Sequence, residues 1–243
     1  MTSSVAMKQT VMPVTVWQSW MSPLQTAIAK ADAGIFKAID EEKFNENLQQ
    51  LAQEIENRDQ LRAAVLAEMK AQLADARTRL SKRLQAERDG ADYVGAHAHA
   101  LDILIRGALN LARTHIFNVV PKFGVMAVGG YGRGELAPHS DIDLLFLMPE
   151  RGSKQQEPLV EFLLYLLWDM GLTVGHASRS LRQNLSAADG DVTICTSLLE
   201  MRPIGGDKAV CEKMMQAFSK WLGRQPAARF VSAKLEERAA RII

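Results

Sequence analysis

The stretch that decides the fold runs from Val125 to Leu147 and reads VMAVGGYGRGELAPHSDIDLLFL. Its beginning completes a short apolar run, 123–128, that ends at Gly129. Its end is a second apolar run, 142–147, which is closed soon afterwards by Pro149. Short apolar runs bounded by glycine and proline are typical of buried strands. The stretch therefore predicts two strands joined by a glycine-rich turn.

Two acidic residues, Asp141 and Asp143, stand at the start of the second predicted strand. Because side chains alternate along a strand, both carboxylates project from one face while Ile142 and Leu144 point into the core. A solvated strand end is the alternative, but acids that enter a buried strand are uncommon without a function. Neighbouring carboxylates repel unless protonated or bridged by cations, and Mg²⁺ prefers oxygen ligands. The pair therefore predicts a catalytic metal site, in the fullest hypothesis one with two ions clamping an in-line displacement.

The glycine-rich turn fits the same chemistry. Gly129 and Gly130 have no side chains, so their backbone N–H groups can approach phosphate oxygens closely. Arg133 is placed to pair with a phosphate through its planar guanidinium, and Ser140 is expected to cap the turn or contact the triphosphate. Glu135 is expected to orient Arg133 rather than to touch metal. Without the aspartates, an ordinary turn would explain these glycines equally well.

The motif resembles that of the nucleotidyltransferase superfamily of DNA polymerase beta, in which Gly-Gly or Gly-Ser and a spacer of about ten residues precede Asp-x-Asp. The fuller pattern GGYGRGELxPxSDIDL at 129–144 resembles the PII uridylyltransferase branch of that superfamily. So do LLWDMGLTVGHxxR at 166–179 and LLEMR at 198–202. The resemblance extends over roughly residues 100–241.

This resemblance implies a fold, an activity and partners. The fold would be α/β: a helical N-terminal region, then a polymerase-beta-like nucleotidyltransferase fold with a small mixed sheet flanked by helices. The activity would be the Mg²⁺-dependent transfer of UMP from UTP to a tyrosine hydroxyl of the nitrogen-signalling protein PII, with release of pyrophosphate. Gly129, Gly130, Asp141 and Asp143 would be the core of the site.

One departure from the superfamily pattern concerns a third carboxylate, which related enzymes commonly carry on the next strand. The segment Leu172–Ala177 offers only Gly175 and His176 at that place. Asp169 and Asp191 are candidates to replace it, and a site with only two carboxylates is the other possibility. The sequence does not choose among these three.

The rest of the chain predicts mainly helices. Apolar residues keep helical spacing from Leu48 to Leu84, with a break at 57–59, and Gly90 is expected to end this region. We therefore divide the chain into a helical region, 1–92, and a nucleotidyltransferase domain, 93–243, and place little weight on the first 45 residues. The later elements are predicted as helices over 93–114, 158–170, 191–201 and 208–222 and a third strand over 172–176.

Composition narrows the class of protein. Lys and Arg number 29 against 28 for Asp and Glu, so no whole-protein charge would recruit nucleic acid or an anionic membrane. No apolar run is long enough for a membrane span, and the N-terminus does not resemble a secretory signal. Cys195 and Cys211 form no metal-binding or disulfide pattern, which favours the cytoplasm. His97 and His99 face different directions on a predicted helix, so we interpret them as helix histidines with ordinary partners.

The alternatives to PII uridylylation are nucleotide transfer to another protein or small molecule, and a regulatory module whose catalysis has lapsed. Members of the resembled family are longer and add a His-Asp phosphohydrolase domain and ACT domains, whereas this sequence contains no His-Asp dipeptide and ends within a helical run, 230–242. We therefore expect a fragment, truncated within its nucleotidyltransferase domain, that cannot remove the nucleotide it attaches.

Overall fold

The computed structural model describes residues 36–117, 122–151 and 153–240. The leader expected in the first 45 residues falls mostly before residue 36, and Ile242, at the end of the predicted terminal helical run, falls after residue 240. These parts of the predictions lie outside the described residues.

A four-stranded mixed sheet lies at the centre of the fold. Its strands are β1 (Gly124–Ala127), β2 (Ile142–Met148), β3 (Val174–Ser180) and β4 (Arg202–Gly206). The spatial order is β3-β2-β1-β4. β1 is antiparallel to β2 and to β4, whereas β2 and β3 are parallel. The small mixed sheet flanked by helices is the predicted one, and the α/β fold class is confirmed.

Helices form the region before the sheet and cover both of its faces. They are α1 (Glu41–Glu54), α2 (Arg58–Glu87), α3 (Gly90–Leu111), α4 (Gly129–Gly132), α5 (Glu157–Asp169), α6 (Leu181–Gly190), α7 (Val192–Leu199), α8 (Lys208–Leu222) and α9 (Ala227–Ala240). A π-helical segment, Ala112–Ile116, extends α3, and a 3₁₀ turn, Ser153–Gln155, precedes α5. In the part of the chain that the structure describes, every helix is too short or too polar to cross a lipid bilayer.

The two faces of the sheet are buried in two apolar clusters. On β2, Ile142, Leu144 and Phe146 belong to the larger cluster, which they share with α1, α2, α3 and α5. Leu145 and Leu147 point to the opposite face, where α6, α7 and α8 pack. Side chains of β2 thus alternate between the two faces of the sheet, and Asp143 lies on the same face as Leu145 and Leu147. The division of the chain at residue 92 stays a prediction.

The boundary between α2 and α3 differs from the expectation for Gly90. α2 ends at Glu87, and Arg88 adopts a left-handed conformation with φ of 56°. Asp89 then caps α3, its side chain accepting hydrogen bonds from the N–H groups of Ala91 and Asp92, so Gly90 is the first residue of the new helix. The prediction of a stop was wrong because a capping aspartate stands directly before the glycine. The predicted break at 57–59 is confirmed, with Asn57 capping α2.

Two elements in the last third of the chain were not predicted. α6 has a weak apolar pattern, but Ser180 and Gln183 form a capping box at its start. β4 contains Pro203 and two glycines, which are poor strand formers, and it is held by pairing with β1 at the edge of the sheet. β3 also lies further along the chain than the predicted 172–176, because its pairing with β2 continues to Ser180.

Candidate active site

The turn predicted to hold phosphates follows β1 directly. We call residues 129–134 the glycine turn; it includes the short helix α4. Val128 is extended, and its N–H donates to the carbonyl of Asp143 at 3.1 Å. Gly129 has φ of +60°, and a β-carbon on it would lie 3.0 Å from Asp143 Oδ2. Glycine is therefore required at this position both for the backbone conformation and for the close approach to the carboxylate.

The two aspartates occupy one end of β2. Asp143 is the second residue of the strand and is half-buried, and Asp141 precedes the strand and is exposed. Partial burial, and to a smaller extent the negative charge of Asp141, raises the pKa of the Asp143 carboxyl above its ordinary value. One residue separates the two aspartates in the sequence, and neighbouring carboxylates repel each other unless a cation bridges them. Such a pair attracts a cation.

The structure bears on the missing third carboxylate. The residue opposite Asp143 on β3 is Gly175, and a side chain there would collide with Asp143 Oδ1. Asp169 pairs with Arg62, and Asp191 caps α7 by accepting hydrogen bonds from two backbone N–H groups. Across residues 36–117, 122–151 and 153–240, no group of three or more His, Cys, Asp and Glu side chains is arranged to hold a metal ion. The two aspartates therefore stand without a third protein carboxylate from these candidates.

Two carboxylates are nevertheless enough for Mg²⁺ in this kind of site. Mg²⁺ retains several waters and is usually held by one or two carboxylates together with phosphate oxygens of the substrate. Asp143 lies beside Gly129, which has no side chain to cover the carboxylate, and Asp141 is two residues before Asp143. The donor set and its surroundings therefore fit a magnesium ion that arrives with a nucleotide.

Arg133 lies at the edge of the glycine turn, between two carboxylates. Its Nε donates to Glu135 Oε2 at 2.8 Å, and its Nη1 donates to Glu200 Oε1 at 2.6 Å. The expected contact with Glu135 is present, whereas Glu200 was not foreseen as a partner. A β-carbon on Gly130 would lie 3.7 Å from Arg133 Nη2, so the guanidinium stands beside the turn. Ser140 directly precedes Asp141 in the sequence, and both residues are exposed.

A buried polar group beneath the glycine turn was missed by the sequence reasoning. The hydroxyl of Tyr131 donates to Asp102 Oδ1 at 2.7 Å, and Asp102 also pairs with Arg202. The side chains of Arg202 and Asp102 are only 12% and 7% exposed. Burial, followed by the charge of Asp102, raises the pKa of the Tyr131 hydroxyl well above its ordinary value, so it stays a donor. The available signal was an aspartate in the otherwise apolar centre of α3.

His97 connects α3 to the loop that follows the glycine turn. It is buried; its Nδ1 lies 3.0 Å from the carbonyl oxygen of Leu136, and its Nε2 accepts from Arg77 Nε at 3.3 Å. These partners require a neutral ring with its proton on Nδ1. Burial lowers the pKa of His97 below its ordinary value. The interpretation of His97 as a helix histidine with ordinary partners is confirmed.

Comparison with protein families places the motif in a known domain. Residues 116–180 match the model of the nucleotidyltransferase domain. The match includes β1, the glycine turn, β2, α5 and β3, and therefore both aspartates.

Comparison with individual proteins gives similarity over most of the chain. The bifunctional uridylyltransferase/uridylyl-removing enzyme of Azospirillum brasilense is 37% identical over 232 residues, which are 88% of this chain and 25% of that protein. The proteins of the same name from Rhodospirillum rubrum and Bradyrhizobium sp. are 38% identical over 84% of the chain and 42% identical over 75% of it. The chain spans about a quarter or less of the length of these relatives, 20–25%. The chain thus contains a nucleotidyltransferase domain and is similar, over most of its own length, to part of the bifunctional uridylyltransferase/uridylyl-removing enzymes.

Proposed function

We propose that this chain transfers UMP from UTP to a tyrosine hydroxyl of a PII signalling protein in the cytoplasm, with Mg²⁺ held by Asp141 and Asp143. The observation that carries the proposal is the aspartate pair at the end of β2 beside the side-chain-free Gly129. The names of the relatives support uridylyl transfer. The choice of PII as acceptor rests on the resemblance of the motifs.

In the proposed reaction, the acceptor oxygen forms a bond to the α-phosphorus of UTP. The bond from that phosphorus to the β-phosphate oxygen breaks, pyrophosphate leaves, and the phenolic proton is released to the solvent. When bound, Mg²⁺ would supply positive charge that favours ionisation of the acceptor hydroxyl and neutralises the leaving group. Asp141 and Asp143 would hold the ion beside the glycine turn, where the phosphates of UTP would bind.

The glycine turn and its neighbours would bind the triphosphate. The backbone of Gly129 and Gly130 can approach phosphate oxygens closely because no side chains intervene. Arg133 would turn from a carboxylate partner towards a phosphate oxygen, with which its guanidinium pairs equally well. Ser140 would donate its hydroxyl to the same triphosphate. These contacts orient the α-phosphorus for in-line attack, which is a large part of catalysis in phosphoryl-transfer enzymes.

The test is incubation of the full 243-residue chain with Mg²⁺, PII and UTP, ATP, CTP or GTP, each labelled at the α-phosphate. We expect label on PII from UTP, none with EDTA, and none on a PII variant that has phenylalanine at the acceptor tyrosine. Label transferred to a different acceptor would overturn PII as the partner. No transfer from any of the four nucleotides would favour the lapsed regulatory module.

A further inference from the structure

Arg202 contacts the glycine turn as well as Asp102. Its Nη2 donates to the carbonyl oxygen of Tyr131 at 3.1 Å, and its Nε donates to the carbonyl oxygen of Gly132 at 3.3 Å. The sheet explains this position: Arg202 is the first residue of β4 and pairs with Ala127, the last residue of β1. A guanidinium that binds two successive carbonyls fixes the orientation of the peptide groups between them.

Asp102 fixes Arg202 in turn. Its Oδ2 pairs with Arg202 Nη1, while its Oδ1 accepts from Arg202 Nη2 at 3.2 Å and from the hydroxyl of Tyr131 at 2.7 Å. The Arg202 guanidinium also lies 5.5 Å from the centre of the Tyr131 ring. The result is a closed set of contacts that ties α3, β4 and the glycine turn together in a buried place, where hydrogen bonds to charged groups are strong.

We propose that Asp102, Arg202 and Tyr131 are positioning residues that hold the glycine turn in the conformation that binds the nucleotide phosphates. The turn needs such support because glycines allow many backbone conformations that a binding site must exclude. The side chains of Tyr131 and Asp102 are buried and that of Arg202 is only 12% exposed, so we expect them to act through the backbone of the turn. This inference rests on the proposed function, since it assumes that the turn binds a nucleotide.

The test uses two variants of the full chain and a matched control. Tyr131→Phe removes one hydrogen bond and leaves the ion pair intact. The triple variant Tyr131→Phe, Asp102→Leu, Arg202→Met replaces the whole network with apolar side chains, a change that often preserves folding where removal of a single charge does not. Arg106→Gln is the control, because Arg106 also extends from α3 and bonds to Glu41 at 2.8 Å and to the carbonyl of Ile204 on β4 at 3.4 Å, without bonding to the turn.

Two measurements are made on each protein, at temperatures at which the proteins are equally stable. They are the amide hydrogen exchange of residues 129–134, and KM for UTP and kcat determined separately. In the triple variant we expect faster exchange at the turn and a KM raised by about tenfold, with kcat changed much less. Tyr131→Phe should show a smaller shift in the same direction, and Arg106→Gln should show none.

The inference is overturned if the folded triple variant exchanges at the wild-type rate. It is also overturned if Arg106→Gln changes the exchange rate and KM as much as the triple variant does. If the triple variant does not fold, Tyr131→Phe decides, since an unchanged exchange rate and KM there would also overturn it. Failure of the wild-type chain to transfer any nucleotide would count against the proposed function instead. In that case the exchange measurement still reports whether the network holds the turn.

Discussion

The aspartate strand and the glycine turn are neighbours in the chain, yet different forces hold them in place. Asp143 is positioned by the alternation of β2 and by pairing with β1 and β3. The glycine turn is held by residues far away in sequence: Tyr131 bonds to Asp102, 29 positions earlier, and to Arg202, 71 positions later. The position of Asp143 thus follows from one strand and its neighbours in the sheet, whereas the conformation of the glycine turn depends on side chains from distant parts of the chain.

The largest expected effect comes from the strand. Asp141→Asn and Asp143→Asn keep the shape of the side chain but remove the charge that would bind Mg²⁺. We expect each to lower the rate of nucleotide transfer by at least ~100-fold while the protein stays folded. Steady-state kinetics and circular dichroism of the two variants would measure this. Near-normal turnover in both would contradict the assignment of the aspartate pair.

The glycine turn should respond differently at two neighbouring positions. A β-carbon on Gly132 would collide with the backbone carbonyl of Glu200, and backbone cannot move aside easily, so we expect Gly132→Ala to destabilise the fold by about 3 kcal/mol. At Gly130 the nearest atom to such a carbon is the carbonyl oxygen of Glu135 at 3.4 Å, so Gly130→Ala should fold almost normally. Gly130→Val, whose branched side chain enters the space expected for phosphates, should instead weaken UTP binding.

Thermal unfolding and UTP titration of these three variants separate folding from binding. Equal losses of stability in Gly130→Ala and Gly132→Ala would remove the distinction between the two positions. Unchanged affinity for UTP in Gly130→Val would contradict the phosphate-binding role of the turn.

The difference between the aspartate strand and the glycine turn also explains which features could be predicted from the sequence. Both strands of the motif and the helix α8 follow from periodicity and flanking residues, which act over a few positions. The shared face of Asp141 and Asp143 stays a prediction, since β2 begins only at Ile142. The contacts of Arg133 with Glu200 and of Tyr131 with Asp102 could not be predicted in this way, because both carboxylates come from distant parts of the chain. β4 was missed for a related reason, since Pro203 and two glycines form a strand only beside β1.

A smaller effect concerns the stability of the metal-free protein, which depends on the charge of Asp143. Because the pKa of Asp143 is raised, its ionised form is disfavoured in the folded protein, so stability falls as the pH rises from the ordinary aspartate pKa through the raised value. At neutral pH, Asp143→Asn should therefore raise the Tm of the metal-free protein while removing activity. Differential scanning calorimetry in EDTA would measure this. A lower Tm than that of the wild type would show that the charge does not destabilise the empty site.

The smallest effect should be a pH dependence of the protein's stability that arises from His97, which bonds to the loop after the glycine turn. His97 is neutral in the fold, bonded to the Leu136 carbonyl and to Arg77, and burial lowers its pKa below the ordinary 6.5. Above that value neither the folded nor the unfolded state binds the proton, and below it the unfolded chain binds the proton first, so stability is lost as the pH falls. We expect His97→Asn to be less stable than the wild type at about pH 7.5, with a gap that narrows towards about pH 5.5. Parallel curves of Tm against pH for the two proteins would show that protonation of His97 does not affect stability.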